Sequence, residues 1–144
     1  MDRRSFLAVI GVLLVTMLVY LPALDVGYVY EDEVWQSRLS LTQAGQGRPL
    51  TVWSQRLTED RPVLAHAVSI CVHLVNGVLV MAVAATAMPV TVAIASGTVF
   101  LWHPLNVEAA TYLNGRSDLL VTMGLLLTLM GSLRSWWLVM VAGL

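Results

Sequence analysis

The fold is decided by residues 63–102, which read VLAHAVSICVHLVNGVLVMAVAATAMPVTVAIASGTVFLW. These forty residues carry no formal charge. As a single α-helix they would extend about 60 Å, twice the roughly 30 Å of hydrocarbon in a bilayer. The chain is therefore expected to fold back once within this stretch. Residues 84–89 (AATAMP) predict the reversal, because proline interrupts a helix and disfavours helical backbone in the residue before it.

Two further apolar runs flank this hairpin. Residues 6–23 precede it and would span about 27 Å as a helix. The residues after them form a poor signal-peptide cleavage site, so the run predicts a retained first span. Residues 119–133 follow the hairpin and predict a fourth span. Residues 136–144 would begin a fifth, unless residues 119–144 form one tilted helix whose Arg134 reaches back to the interface.

The amino-acid composition is typical of a protein embedded in a lipid bilayer. Apolar residues make up 58% of the 144 residues and charged residues 12%, against roughly 25% charged in a soluble domain. The net charge of −1 implies no attraction to nucleic acid, and the single cysteine excludes a disulfide framework. We therefore predict one all-α domain over residues 1–144. It is expected to be a polytopic transmembrane helical bundle with short interfacial helices in its outer loops. About four spans are predicted, near residues 6–23, 63–84, 88–102 and 119–133.

The first long loop, residues 24–61, contains a candidate interfacial helix. Leu50, Trp53 and Leu57 recur at helical spacing after Pro49, a residue favoured in a first helical turn. The pattern is typical of a short amphipathic helix with tryptophan at headgroup depth, which would brace or cover the outer face. The four arginines of this loop outnumber the two at the N-terminus. By the positive-inside rule alone, that count favours an N-terminus outside the cytoplasm.

The same loop carries an acidic cluster in the sequence YVYEDE at residues 28–33. The adjacent carboxylates Glu31, Asp32 and Glu33 repel one another, so at least one favours its protonated form unless cations are near. A carboxylate poised at the membrane surface can act as a general base. The alternative is a solvated acidic turn that closes the first span.

A second polar stretch, HPLNVEAATYLNGRSD at residues 103–118, separates the third and fourth spans. Pro104 predicts the first turn of a short helix on which Glu108 and Tyr112 share a face. The alternative to a functional site is a connecting helix with an internal Glu108–Arg116 ion pair. Both polar stretches are separated from the N-terminus by an odd number of predicted spans, so we expect them on the same side of the membrane.

Three polar residues, His66, His73 and Asn76, lie within the second predicted span and share one helical face. Polar groups at membrane depth are costly and usually face a bundle interior. We expect them to bond to neighbouring helices rather than to catalyse a reaction. A zinc site is not expected, because His66, His103 and Glu108 do not form a standard ligand spacing, and no other metal or cofactor is indicated.

Several of these polar residues recur, in this order, in one family. The chain resembles the N-terminal part of the GT-C membrane glycosyltransferases, and most closely the bacterial relatives of the tetratricopeptide-repeat transmembrane O-mannosyltransferases. Three motifs carry the resemblance: Glu31-Asp32-Glu33 after the first span, Arg61-Pro62 leading to His73-Leu-Val-Asn76, and His103-Pro104 with Glu108 and Gly115-Arg116-Ser117-Asp118 before the fourth span.

The resemblance implies an enzyme that transfers a sugar from a polyprenyl-phosphate carrier to a protein or lipid hydroxyl. Asp32 would be the base, and Arg61 or Arg116 would neutralise the departing lipid phosphate. The resemblance also implies a bacterial inner-membrane location with a cytoplasmic N-terminus. We prefer this orientation to the arginine count, because site arginines in outer loops distort that rule. The implied site consists of the catalytic residues Asp32, Glu31 and Glu33 and the substrate-binding residues Arg61, Arg116, His103 and Glu108.

The sequence leaves three functions open. The chain is the N-terminal module of a GT-C-type glycosyltransferase with a polyprenyl-phosphate sugar donor, inactive without a missing C-terminal part or a partner. Alternatively, it is a non-catalytic small transmembrane accessory subunit of a larger membrane complex, such as a respiratory or photosynthetic one. A small transporter subunit is the third reading, for which the chain offers no internal repeat. The first two readings require other transmembrane helices as partners, in addition to the lipid bilayer.

Overall fold

The computed structural model describes residues 2–27, 48–58, 61–112 and 114–142, with side chains placed as far as Ser135. Every secondary-structure element in these ranges is helical, so the prediction of an all-α fold is confirmed. In chain order the elements are α1 (Arg3–Tyr20), a 3₁₀ helix (Leu21–Asp25), α2 (Pro49–Arg56), α3 (Pro62–Ala84), α4 (Val90–Trp102), α5 (Pro104–Thr111) and α6 (Arg116–Ala142).

Three of these helical segments are long and apolar enough to cross a bilayer, namely Arg3–Asp25, Pro62–Ala84 and Arg116–Ser135. A fourth crossing results if α4 and α5 together form one span that is bent by 59°. By length and composition, the chain is an integral membrane protein with three or four crossings. The predicted multi-pass bundle agrees with this architecture.

The helices begin where the sequence supplies suitable first residues. Proline stands in the first turn of α2, α3 and α5, as Pro49, Pro62 and Pro104. Its missing N–H costs nothing there, because the first N–H groups of a helix have no intrahelical acceptor. At the start of α1 the Asp2 carboxylate accepts a hydrogen bond from the backbone N–H of Ser5 at 2.9 Å. Hydrogen bonds from Ser5 lower the pKa of the Asp2 carboxyl, and the resulting negative charge suits the positive end of the helix.

The helices α3 and α4 form the predicted hairpin, with its reversal at residues 85–89. They approach closely at Gly77 and Gly97. A Cβ atom on Gly97 would lie 2.9 Å from the carbonyl oxygen of Gly77, and one on Gly77 would lie 2.5 Å from side-chain carbons of Leu101. Small residues therefore allow the two backbones to pack at short range, as is common between helices in membranes.

The last helix, α6, continues without a break past Arg134 to Ala142. The two apolar runs at residues 119–133 and 136–142 thus belong to one helix, as in the tilted-helix alternative, and residue 136 does not begin a new one. Neither glycine nor proline occurs between Gly131 and Ala142 to interrupt the backbone. The Arg134 side chain is exposed, so its charge does not have to be buried within the bundle.

Both polar loops meet at one end of the bundle, where α1 and α4 finish and α3 and α6 begin. We call this the loop end. The hydroxyl of Tyr20, the last residue of α1, lies 3.4 Å from the carbonyl oxygen of Leu101 near the end of α4. Arg48 Nη1 in the first loop donates to Ser117 Oγ in the second at 3.4 Å. The described residues of the two loops thus lie at the same end of the bundle, while the side of the membrane on which the loops lie stays a prediction.

Candidate functional site

The candidate site residues divide into those that the structure places and those that it does not. Glu31, Asp32 and Glu33 lie outside the described residues, so their predicted roles stay predictions. The remaining four, Arg61, His103, Glu108 and Arg116, all lie at the loop end, but in different environments.

Arg116, the first residue of α6, is completely buried. Its guanidinium donates hydrogen bonds in three directions. Nε donates to Ser69 Oγ at 3.2 Å, and Nη2 donates to the carbonyl oxygen of Ala65 at 2.6 Å. Nη1 donates to the carbonyl oxygen of Ser54 at 3.0 Å and to Thr58 Oγ1 at 3.3 Å. These contacts connect α6 to both α2 and α3.

Arg61, the other candidate phosphate ligand, is exposed. It immediately precedes α3, and its backbone N–H donates to the carbonyl oxygen of Thr58 at 3.1 Å. Its own carbonyl oxygen accepts from the backbone N–H of Ala65 at 2.9 Å in the first turn of α3. The backbone of Arg61 is therefore held between α2 and α3, while its guanidinium is accessible from outside the protein.

His103 and Glu108 are both exposed at the loop end. His103 caps α5, because its Nδ1 accepts a hydrogen bond from the backbone N–H of Leu105 at 3.3 Å. That bond leaves Nδ1 without a proton and so favours the tautomer in which Nε2 carries it. Glu108 is exposed on α5, whereas the guanidinium of Arg116 is buried against α2 and α3.

The turn between α5 and α6 is tightly packed at Gly115. A Cβ atom there would lie 2.7 Å from both Cα and the carbonyl oxygen of Ala109 on α5. Because these are backbone atoms, they cannot rotate away as a flexible side chain could. Gly115 thus lets α5 pack directly against the start of α6, and the next two residues, Arg116 and Ser117, bond to the first loop.

Polar side chains lie along the buried face of α3 below the loop end, at His66, His73 and Asn76. His73 Nε2 donates to the carbonyl oxygen of Leu101 at 3.1 Å, and Asn76 Nδ2 donates to the carbonyl oxygen of Leu119 at 2.9 Å. Both residues are fully buried. For these two residues, the expectation of bonds to neighbouring helices is confirmed. His66 is also buried, but neither of its ring nitrogens has a hydrogen-bond partner within the described part of the chain.

Sequence reasoning did not identify the hydrogen-bond partners of Arg116. Ser54, Thr58 and Ser69 are ordinary polar residues, and they lie 47 to 62 positions from Arg116 along the chain. One signal was available for Ser69: it is four residues before His73, on the same buried helical face.

No family model and no solved structure matches this chain. It is similar to a protein of Drosophila melanogaster named Protein O-mannosyl-transferase Tmtc2, with 33% identity over an alignment that covers 80% of this chain. The alignment covers 15% of Tmtc2, so the chain spans a small part of the length of this curated relative. The similarity suggests a glycosyltransferase-like origin for the chain.

Proposed function

From this similarity, we propose that the chain is the N-terminal membrane module of a GT-C-type glycosyltransferase that uses a polyprenyl-phosphate sugar donor. The multi-pass bundle supports the proposal, because a donor with a polyprenyl tail is dissolved in the bilayer. We further propose that the N-terminus is cytoplasmic, that the enzyme belongs to a bacterial inner membrane, and that the loop end faces away from the cytoplasm.

The observation that carries this proposal is the contact between the two loops. Arg48 donates to Ser117, and Arg116 donates to the carbonyl oxygen of Ser54. The loop that contains the acidic cluster is thereby attached to the loop that contains His103 and Glu108. A transferase of this kind needs a base and phosphate-binding cations on one side of the membrane, and the attachment of the two loops to each other supports that requirement.

In the proposed reaction, Asp32, assisted by Glu31 or Glu33, removes the proton from an acceptor hydroxyl. The hydroxyl oxygen forms a bond to the anomeric carbon as the bond from that carbon to the lipid phosphate breaks. The phosphate leaves with the electron pair, and a nearby cation stabilises its charge. Arg61 suits that task because it is exposed at the loop end.

Arg116 is less suited to contact the phosphate, because its guanidinium is buried in hydrogen bonds to protein atoms. His103 and Glu108 are exposed on the same end, and we propose that they contact the sugar or its phosphate. A site of this kind must hold donor, acceptor and base within about 1 Å of the reactive geometry, since a misplacement of that size can cost on the order of a hundredfold in rate.

We propose that this chain by itself is inactive and that the remaining walls of the site come from further segments of the enzyme or from a partner chain. The test is to reconstitute the full chain in liposomes with polyprenyl-phosphate sugars and to measure release of the lipid phosphate. No release is expected from the chain alone. Release is expected when a partner chain is added, and Asp32→Asn should abolish it. Failure to observe release with every co-purifying membrane partner would refute the transferase function.

The second candidate is a non-catalytic accessory subunit of a larger membrane complex. It is favoured by the engagement of Arg116, His73 and Asn76 in contacts between helices, which is the behaviour of structural residues. For such a subunit, Asp32→Asn should leave assembly of the complex unchanged. A stable co-purifying complex that lacks any transfer activity would support this candidate over the enzyme.

A further inference from the structure

We propose that Arg116 is a positioning residue, which fixes α2 on the bundle. The positional role stands on the structure alone. Its consequence for sugar transfer rests on the proposed function, because α2 lies between the acidic cluster and Arg61 in the sequence.

The short helix α2 needs such a contact. It has eight residues, and isolated helices of this length are unstable in water. Leu50, Trp53 and Leu57 along one side are more than 60% exposed, so that side does not pack on the bundle. Only Thr51 and Val52 of the helix itself are buried. Specific polar interactions therefore contribute to the position of α2.

Arg116 provides interactions at the C-terminal end of α2. The last four carbonyl groups of a helix have no intrahelical donor, and Ser54 contributes one of them. Arg116 Nη1 donates to that oxygen at 3.0 Å and to Thr58 Oγ1 beyond the end of the helix at 3.3 Å. A positive charge at this end also interacts favourably with the helix dipole. Arg116 thus caps α2 from another element.

The same guanidinium is anchored to α3. Nη2 donates to the carbonyl oxygen of Ala65, and Nε donates to Ser69 Oγ. Acceptors on two helices are reached at once because the planar guanidinium offers five N–H donors in a rigid fork. A lysine ammonium has three donors on one atom and could not bridge the same acceptors.

Interactions within α6 do not explain why an arginine is the first residue of that helix. It is the first residue of that helix, where a positive charge interacts unfavourably with the helix dipole. Nor is the side chain accessible to a substrate, because none of its surface is exposed. Its contacts with α2 and α3 favour this placement. Thr58, which accepts a hydrogen bond from Arg116, also accepts one at its carbonyl oxygen from the backbone N–H of Arg61.

The test measures distances between spin labels in the full chain in lipid, by double electron–electron resonance. Cys71, the single cysteine of the sequence, is first replaced by alanine. One label pair, at L50C and L125C, reports the position of α2 relative to α6. A second pair, at V75C and L125C, reports the packing of α3 against α6. All three labelled positions are exposed.

With Arg116 present, both pairs should give a single narrow distance distribution. Arg116→Lys and Arg116→Gln should broaden the first distribution at least twofold and leave the second unchanged. Arg134→Gln, an exposed arginine on the same helix, is the matched control and should alter neither. An unchanged first distribution in Arg116→Gln would overturn the proposal, and so would an equal broadening of both, since Arg116 would then support the whole bundle.

If the Arg116 variants fail to fold, Thr58→Val removes one acceptor of Arg116 near α2, together with the bonds from the Thr58 hydroxyl to the carbonyl oxygens of Ser54 and Gln55, and leaves the α3 contacts intact. It should broaden the first distribution alone, and an unaltered distribution would count against the positional role. Because the measurement involves no transfer reaction, its failure leaves the proposed enzyme intact. Conversely, a failed transfer assay leaves the positional role intact.

Discussion

The side-chain amide of Asn76 on α3 donates a hydrogen bond to the backbone carbonyl oxygen of Leu119 on α6 over 2.9 Å. Asn76 has no exposed surface. The bond joins the central helix to the last helix at a depth where water does not compete for either group. It is therefore a direct contribution to the packing of two predicted spans.

We expect Asn76→Leu to destabilise the bundle by about 1 kcal/mol, which is typical of hydrogen bonds between helices in membranes. The loss is limited because Asn76 Oδ1 has no hydrogen-bond partner among the described residues, and leucine removes that unsatisfied atom as well. Unfolding in mixed detergent micelles would measure the change. Thr128→Ala on α6 is the control, since Thr128 bonds only within its own helix and is exposed. Equal losses in both variants would contradict the interhelical role.

Tyr20 and His73 should contribute different amounts to the stability of the bundle. The Tyr20 hydroxyl lies 3.4 Å from both His73 Nε2 and the carbonyl oxygen of Leu101, which are long hydrogen bonds. Tyr20→Phe keeps the ring contact with His73, whose centroid is 5.5 Å away, and should cost about 0.5 kcal/mol or less. His73→Leu loses the 3.1 Å bond to Leu101 and should cost about 1–2 kcal/mol. The same unfolding assay compares them, and a larger loss for Tyr20→Phe would reverse the expected order.

Gly115→Ala should destabilise the loop end by about 1–3 kcal/mol, as overpacking does in other tightly packed sites. The added Cβ would lie 2.7 Å from backbone atoms of Ala109, so α5 or α6 would have to shift. Gly124→Ala is the matched control on α6, because nothing lies within 4 Å of its added Cβ. That variant should be neutral or more stable, since alanine has the higher helix propensity. Similar melting temperatures for the two variants would argue against the tight turn.

Cysteine labelling in intact cells tests the sidedness of the loops. In a Cys71→Ala background, Leu50→Cys and Asn114→Cys should react with a membrane-impermeant reagent from the same side, because both residues lie at the loop end. Thr86→Cys, in the reversal between α3 and α4, should react from the opposite side. With the proposed cytoplasmic N-terminus, the first two positions react from outside. Reaction of Thr86→Cys together with either of them would contradict the bundle topology.

The hairpin could be predicted from the sequence because two local facts determine it. Forty uncharged residues exceed one crossing of the bilayer, and Pro89 limits where the helix can continue. The continuity of α6 was harder to predict, since Arg134 resembles the charged end of a span. Its exposed position shows why the helix need not stop there: a long arginine side chain can extend toward the headgroups.

The site could be predicted only in part. Motif order placed Arg61, His103, Glu108 and Arg116 in two loops, and the structure brings those loops to one end of the bundle. The burial of Arg116 was not predictable, because it depends on tertiary contacts with the backbone oxygens of α2 and α3. Every residue has a backbone carbonyl oxygen, so the amino-acid sequence does not indicate which of these oxygens accept hydrogen bonds from Arg116.

The shortness of α4 has a consequence for the lipid around the protein. Leu101, near its end, bonds to His73, which stands eleven residues after the start of α3 and therefore about 16 Å along it. His103 follows Leu101 by two residues, so the end of α4 lies beside the middle of α3 rather than beside its first turn. An ionisable side chain is costly in hydrocarbon, so we expect water and headgroups to reach the exposed side chains of His103 and Glu108. We therefore expect the bilayer to be thinner beside α5 than a bilayer that matches the full length of α3.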